Sequence, residues 1–204
     1  MNKTMQNFKK QLKDAICNND IDFLKSNENR FNVNDRFDDE NNDTLLSYSI
    51  SDNGSEIYKY FLDRNADLLL LNDEGENIIH SIVYSGCSER LNDILKRGNI
   101  NINFQSKDGT TPLLLSVVLE RYDIFHQLIE IGAEINITDY EGNSPLHPAC
   151  FLGYKEMVYS LVEKKANLFA KTKNGNLPLA LAVNGGHDEI VKFLYNKIYG
   201  IPKG

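Results

Sequence analysis

The side chains best suited to ligate a metal or attack a substrate are four histidines, His80, His126, His147 and His187, and three cysteines, Cys17, Cys87 and Cys150. Zinc chemistry needs several such ligands at short spacing or in paired C-x-x-C motifs. No two histidines here have ligand spacing, and the cysteines lie 70 and 63 residues apart without such a pair, which fits reduced, buried thiols. No Ser or Cys sits in a nucleophile-elbow sequence and no glycine-rich phosphate loop follows a strand pattern. The acidic residues fall in turns and at helix starts, where a carboxylate stabilises the amino end of a helix. The chain is therefore expected to be no enzyme, with no metal and no cofactor, and its function has to be sought in a surface.

The elements that would build that surface follow from an internal period. Aligned blocks begin at Asn42 (NDTLLSYSI), Gly75 (GENIIHSIV), Gly109 (GTTPLLLSV), Gly142 (GNSPLHPAC) and Gly175 (GNLPLALAV), stepping by 33, 34, 33 and 33 residues. A second block starts fourteen residues past each anchor, at Glu56, Glu89, Asp123, Glu156 and Glu189. Leu113, Val117 and Leu128, like Leu146, Cys150 and Leu161, recur at helical spacing in two short segments separated by a break at Arg121 or Gly153. Each unit reads as a helix hairpin. Thr111-Pro112, Ser144-Pro145 and Leu177-Pro178 open the first helix, where proline presets φ and a hydroxyl caps free amides. Gly98 and Gly132 are expected to close second helices in the left-handed conformation. Helices of about ten residues cannot bury an apolar face alone, so neighbouring units must stack.

Composition is compatible with a folded, soluble array. The 204 residues are 41% hydrophobic and 25% charged, with no apolar stretch long enough for a membrane span and no signal-like amino terminus, so a cytoplasmic location is expected. The net charge of −7 argues against nucleic acid. Residues 1–102 carry 12 basic and 18 acidic side chains, and Asp35, Asp38, Asp39, Glu40 and Asp43 gather at one turn.

The period with its G-x-T/S-P-L-H-x-A signature resembles the ankyrin repeat, best over Asp139–Asn167 (DYEGNSPLHPACFLGYKEMVYSLVEKKAN). The resemblance implies an all-α solenoid of stacked helix-turn-helix units with short β-hairpin-like turns, forming a single domain over 1–204. Its units would be an amino-terminal capping repeat at 5–34, repeats at 39–71, 72–105, 106–138 and 139–171, and a terminal repeat and cap at 172–204. The second, third and sixth units are degenerate; Leu45 and Ile78 stand where proline belongs. His80 and His147 share one repeat position, which in the family bonds to neighbouring backbone. The segment LIEIGAEIN resembles the pattern at which hairpin asparagines are hydroxylated in animals, with Asn136 as the acceptor.

Ankyrin proteins bind partners through hairpin tips and first-helix faces. On this chain those positions point to Tyr84, Leu115, Val118, Tyr140 and Phe151 as apolar anchors. The tip residues Asp39, Glu40, Asp73, Glu74, Lys107, Asp108 and Glu141 form a charged rim. The resemblance implies a protein-interaction module, acting as adaptor, inhibitor or scaffold on another protein and monomeric when isolated, with neither nucleic acid nor membrane as partner. Its alternatives are a permanently assembled regulatory or assembly-chaperone subunit, or a microbial effector or immunity-type protein.

Overall fold

The computed structural model describes residues 3–37, 41–50 and 56–200. Its described residues form twelve α-helices in six consecutive pairs: α1 (Lys3–Cys17) with α2 (Ile21–Ser26), α3 (Leu45–Ser49) with α4 (Glu56–Asp63), α5 (Ile78–Ser85) with α6 (Ser88–Arg97), α7 (Pro112–Val118) with α8 (Tyr122–Glu130), α9 (Leu146–Leu152) with α10 (Lys155–Glu163), and α11 (Pro178–Asn184) with α12 (Asp188–Tyr199). The chain divides into two compact units, residues 1–100 and 101–204. Among the described residues no helix is long and apolar enough to cross a membrane.

Four of the described helices, α2, α3, α5 and α7, begin where a side chain supplies a cap. Pro112 occupies the first turn of α7, and the Thr111 hydroxyl accepts the Leu114 amide at 3.2 Å. The two helices lacking that proline find other caps. The Thr44 hydroxyl accepts the Ser47 amide at 3.0 Å, and Asn77 forms a reciprocal capping box with His80 at the start of α5. Degeneracy of the proline position therefore costs a pre-set φ, yet the helix start survives.

In the amino-terminal unit the core is built by Leu24, Ile57, Tyr58, Phe61, Ile79, Ile82, Leu91 and Ile94, all fully buried. The carboxy-terminal unit buries Val117, Phe125, Leu128, Leu146, Cys150, Met157, Leu161 and Ala182 in the same way. Burial of each large aliphatic stabilises by about 1.5–3 kcal/mol, and in these short helices that term outweighs intrinsic helix propensity. Burial also pushes the Cys150 thiol up to about 12, so it is a packing group and no nucleophile.

The turn between paired helices requires a positive φ, which Gly86, Gly153 and Gly186 adopt at 75°, 80° and 74°. Glu120 takes the same conformation at 56° in the fourth pair, a strained choice for a residue with a Cβ. At Gly153 the glycine is required twice over, because a Cβ would lie 2.3 Å from Cε1 of His187. Gly98 departs from expectation. Its φ is −164°, an extended conformation, and it closes α6 without a left-handed turn in the repeat that carries the additional residue Asn99. Gly132 does adopt the left-handed conformation, at 90°.

These two turns give a paired prediction. Glu120→Gly relieves the strain and raises stability by about 0.5–1 kcal/mol, whereas Gly153→Ala drives a methyl into the His187 ring and lowers it by about 1–3 kcal/mol. Urea midpoints of the two variants against the parent protein check this, and a Glu120→Gly midpoint below the parent's contradicts it.

Candidate functional site

The carboxy-terminal unit presents hairpin tips in a hydrogen-bonded stack. Within a tip, the Asp139 amide donates to the Asn143 carbonyl at 3.0 Å and the Gly142 amide to the Asp139 carbonyl at 3.0 Å. The tip at 172–176 repeats the pattern at 3.1 and 2.8 Å. Between tips, the Tyr140 amide donates to the Asp108 carbonyl at 2.9 Å and the Lys173 amide to the Glu141 carbonyl at 2.8 Å. The Tyr140 ring lies close against Gly109, where a Cβ would approach it to 2.7 Å, and the side chain remains 58% exposed.

The charged tip residues are partly consumed by this architecture. The Asp108 carboxylate accepts the Ser106 hydroxyl at 2.6 Å and the Thr110 amide at 2.9 Å. Burial alone would raise its pKa, but these hydrogen bonds outweigh it and hold the carboxyl below the ordinary value. Glu141 pairs with Lys173 at 3.1 Å on an open surface, while Lys107 is exposed. In the amino-terminal unit Asp73 and Glu74 are exposed; the Asp73 amide donates to the Asn41 carbonyl at 2.9 Å and its carboxylate accepts from Asn42. Asp39 and Glu40 lie outside the described residues.

Behind the tips of the carboxy-terminal unit lies a cavity of about 340 Å³ lined by Leu114, Val118, His147, Pro148, Phe151 and Leu181, with Thr110, Asp139 and Asn143 at its polar edge. Val118 and Phe151 are 48% and 51% exposed, so neither is sealed under a following repeat. Leu115 is corrected: it is only 7% exposed and does not line the cavity. Leu114 and Val118, four residues apart, share one face of α7 and both line the cavity, whereas the burial of Leu115 is particular to this unit, since its counterparts Pro148 and Leu181 do line the cavity. Leu114 is the cavity-lining residue that counting from the anchor missed, and its i, i+4 relation to Val118 was the available signal. Tyr84 belongs to the amino-terminal unit, where it is 49% exposed and its hydroxyl donates to Glu76 at 2.8 Å.

His147, at the cavity wall, is a structural staple. Its Nδ1 accepts the Ser144 amide at 3.0 Å, and its Nε2 donates to the Ala170 carbonyl at 3.1 Å in the following unit. Both nitrogens are thereby committed, and burial pushes the imidazole pKa below its ordinary 6.5. Asn136 is exposed and bridges units as well, accepting the Asn167 amide at 2.8 Å. Among the described residues no three His, Cys, Asp or Glu side chains converge as a metal site would require.

The depressed His147 pKa has a signed consequence. Its stabilising contribution is complete above the ordinary value of 6.5 and is lost as pH falls below that value toward and through the lower folded pKa, because the unfolded chain then binds the extra proton. Ring-proton NMR should therefore place the His147 titration below 6.5. His147→Gln should flatten the dependence of the urea midpoint on pH between about 7 and 5. A titration at or above the ordinary value overturns this reading.

Residues 122–203 match the model of a family described as ankyrin repeats (3 copies). No curated protein matches the chain. Ankyrin repeats are in general protein–protein interaction modules. In its stacked helix pairs, its bonded hairpin tips and this match over residues 122–203, the carboxy-terminal part of the chain is similar to an array of ankyrin repeats.

Proposed function

We propose that this protein works by occupancy, binding another protein on the face of its carboxy-terminal unit that carries the tips and the first helices. One observation carries the reading: two large apolar side chains, Val118 and Phe151, stand half-exposed around an apolar cavity floored by Leu114 and flanked by Pro148 and Leu181. A helix face left to solvent is ordinarily polar, and an apolar cavity with a polar edge is the form taken by energetic hot spots. Tyr140, on the adjacent tip, and the rim residues Lys107, Asp108 and Glu141 supply polar contacts around it, and the bonded tips keep the surface pre-organised, which lowers the entropy lost on binding. Adaptor, inhibitor and scaffold roles all follow from such occupancy, and no catalytic step is invoked. A soluble, cytoplasmic setting suits the acidic surface and the buried thiols Cys87 and Cys150.

The test is affinity capture from source-cell lysate with the parent protein and the Val118→Glu/Phe151→Glu variant, with circular dichroism to show that both are equally helical. A partner held by the parent and weakened about 100-fold or more by the variant supports the proposal. Recovery of the same proteins at the same yield by both contradicts it.

A further inference from the structure

The cavity behind the carboxy-terminal tips is chemically more specific than its apolar floor. At about 340 Å³ it lies at the small end of the range for binding pockets, a size suited to one large side chain. Leu114, Val118 and Leu181 line it with aliphatic surface, and Pro148 and the half-exposed Phe151 ring stand beside them. Asp139, Asn143 and His147 complete the wall.

The hydrogen bonds at that polar edge decide which kind of side chain it suits. Both nitrogens of His147 are committed, to Ser144 and Ala170. Asn143 Nδ2 donates to Asp139 Oδ2 at 2.9 Å, which fixes the orientation of the amide, since its oxygen would be repelled by the carboxylate. Asp139 Oδ1 already accepts the Glu141 and Asn143 amides at 2.9 and 2.7 Å, but Oδ2 receives only the Asn143 bond. Among the described residues no donor reaches the Asn143 side-chain carbonyl. The spare capacity of Asp139, Asn143 and His147 is therefore mostly lone pairs, against a single N–H left on Asn143.

We infer that this cavity receives a tryptophan side chain of the protein partner, its ring against Phe151 and Pro148 and its indole N–H donated to the Asp139–Asn143 pair. That the tryptophan belongs to a partner bound on this face rests on the interaction-module reading above; the recognition of the indole does not. A leucine or phenylalanine would cover these acceptors without giving them a donor. A guanidinium would satisfy them, but only by giving up its own water over an aliphatic floor. Indole combines a large apolar ring with one donor and no acceptor, whereas a tyrosine hydroxyl adds lone pairs that this edge has little to satisfy. The occupant comes from another protein, because this chain contains no tryptophan.

The same absence makes the test direct, since all indole fluorescence in the mixture comes from the probe. N-acetyl-tryptophan amide is titrated with the full chain, beside N-acetyl-1-methyltryptophan amide, which keeps the ring and lacks the donor, and with N-acetyl-leucine amide as competitor. The expected result is a saturable blue shift of the emission, with the methylated probe bound about fivefold or more weakly. Leucine should displace the probe only at about tenfold excess or more. Phe151→Ala, at a half-exposed position outside the core, should weaken binding about threefold or more. No saturable shift, equal binding of the methylated probe, displacement by leucine at equal concentration, or binding unchanged in Phe151→Ala overturns the inference. The methylated probe decides on the parent protein even if the Phe151 variant folds poorly. Partner capture lost in Val118→Glu/Phe151→Glu, with no indole bound by the parent, removes the tryptophan and leaves the interaction face standing. Indole bound by the parent, with capture unaffected by that variant, overturns the face as the partner's site and leaves the recognition of the indole standing.

Discussion

The constraint on which the structure depends is that no helix pair of this length can bury its own apolar face, so each unit must be completed by its neighbour. Side-chain packing supplies most of the energy, but packing of smooth aliphatic surfaces permits sliding. Register is fixed by polar contacts that recur once per unit. Tyr140 donates its amide to Asp108, Lys173 donates to Glu141, and Asn136 accepts from Asn167. His147 reaches the Ala170 carbonyl, and His187 Nε2 donates to the Phe151 carbonyl at 2.9 Å. Each of these bonds is specific to one register, because a displaced neighbour would separate donor from acceptor.

Function follows from the same ladder. The residues that face the carboxy-terminal cavity come from three successive first helices, Val118 from α7, Pro148 and Phe151 from α9, and Leu181 from α11. None of these helices exceeds seven residues, so none could hold a side chain in place unaided. Their relative placement is set by the staples and tips beneath them. That is why the polar residues most suggestive of chemistry, His147 and Asp108, turn out to be occupied by the scaffold. The apolar residues Val118 and Phe151 are the ones that remain accessible.

Much of this was legible in the sequence because a repeat displays each structural requirement several times. The helix pairs, the proline or hydroxyl caps and the left-handed turns could be read by comparing units. What escaped was specific to one unit. Leu115 lies at a position that faces a cavity in other units, where Tyr48 and Pro148 line one, but its own side chain is buried. Gly98 was expected to be left-handed by analogy with Gly132, but an insertion beside it changed the path of the chain. Arg90 sits where Ile124 and Met157 are core residues, and its buried guanidinium is held 4.2 Å over the Tyr58 ring. A periodic pattern cannot reveal such local solutions, since each depends on a contact between two residues that vary together.

The central claim, that backbone bonds between tips fix the register of the binding surface, is tested most directly by native-state hydrogen exchange on the full chain. Tyr140 and Lys173 are exposed residues on hairpin tips, where amides ordinarily exchange fast. The account predicts that both amides are protected nearly as strongly as those in the body of α9. Exchange of Tyr140 and Lys173 at the rate of an unstructured peptide, with α9 still protected, would contradict it.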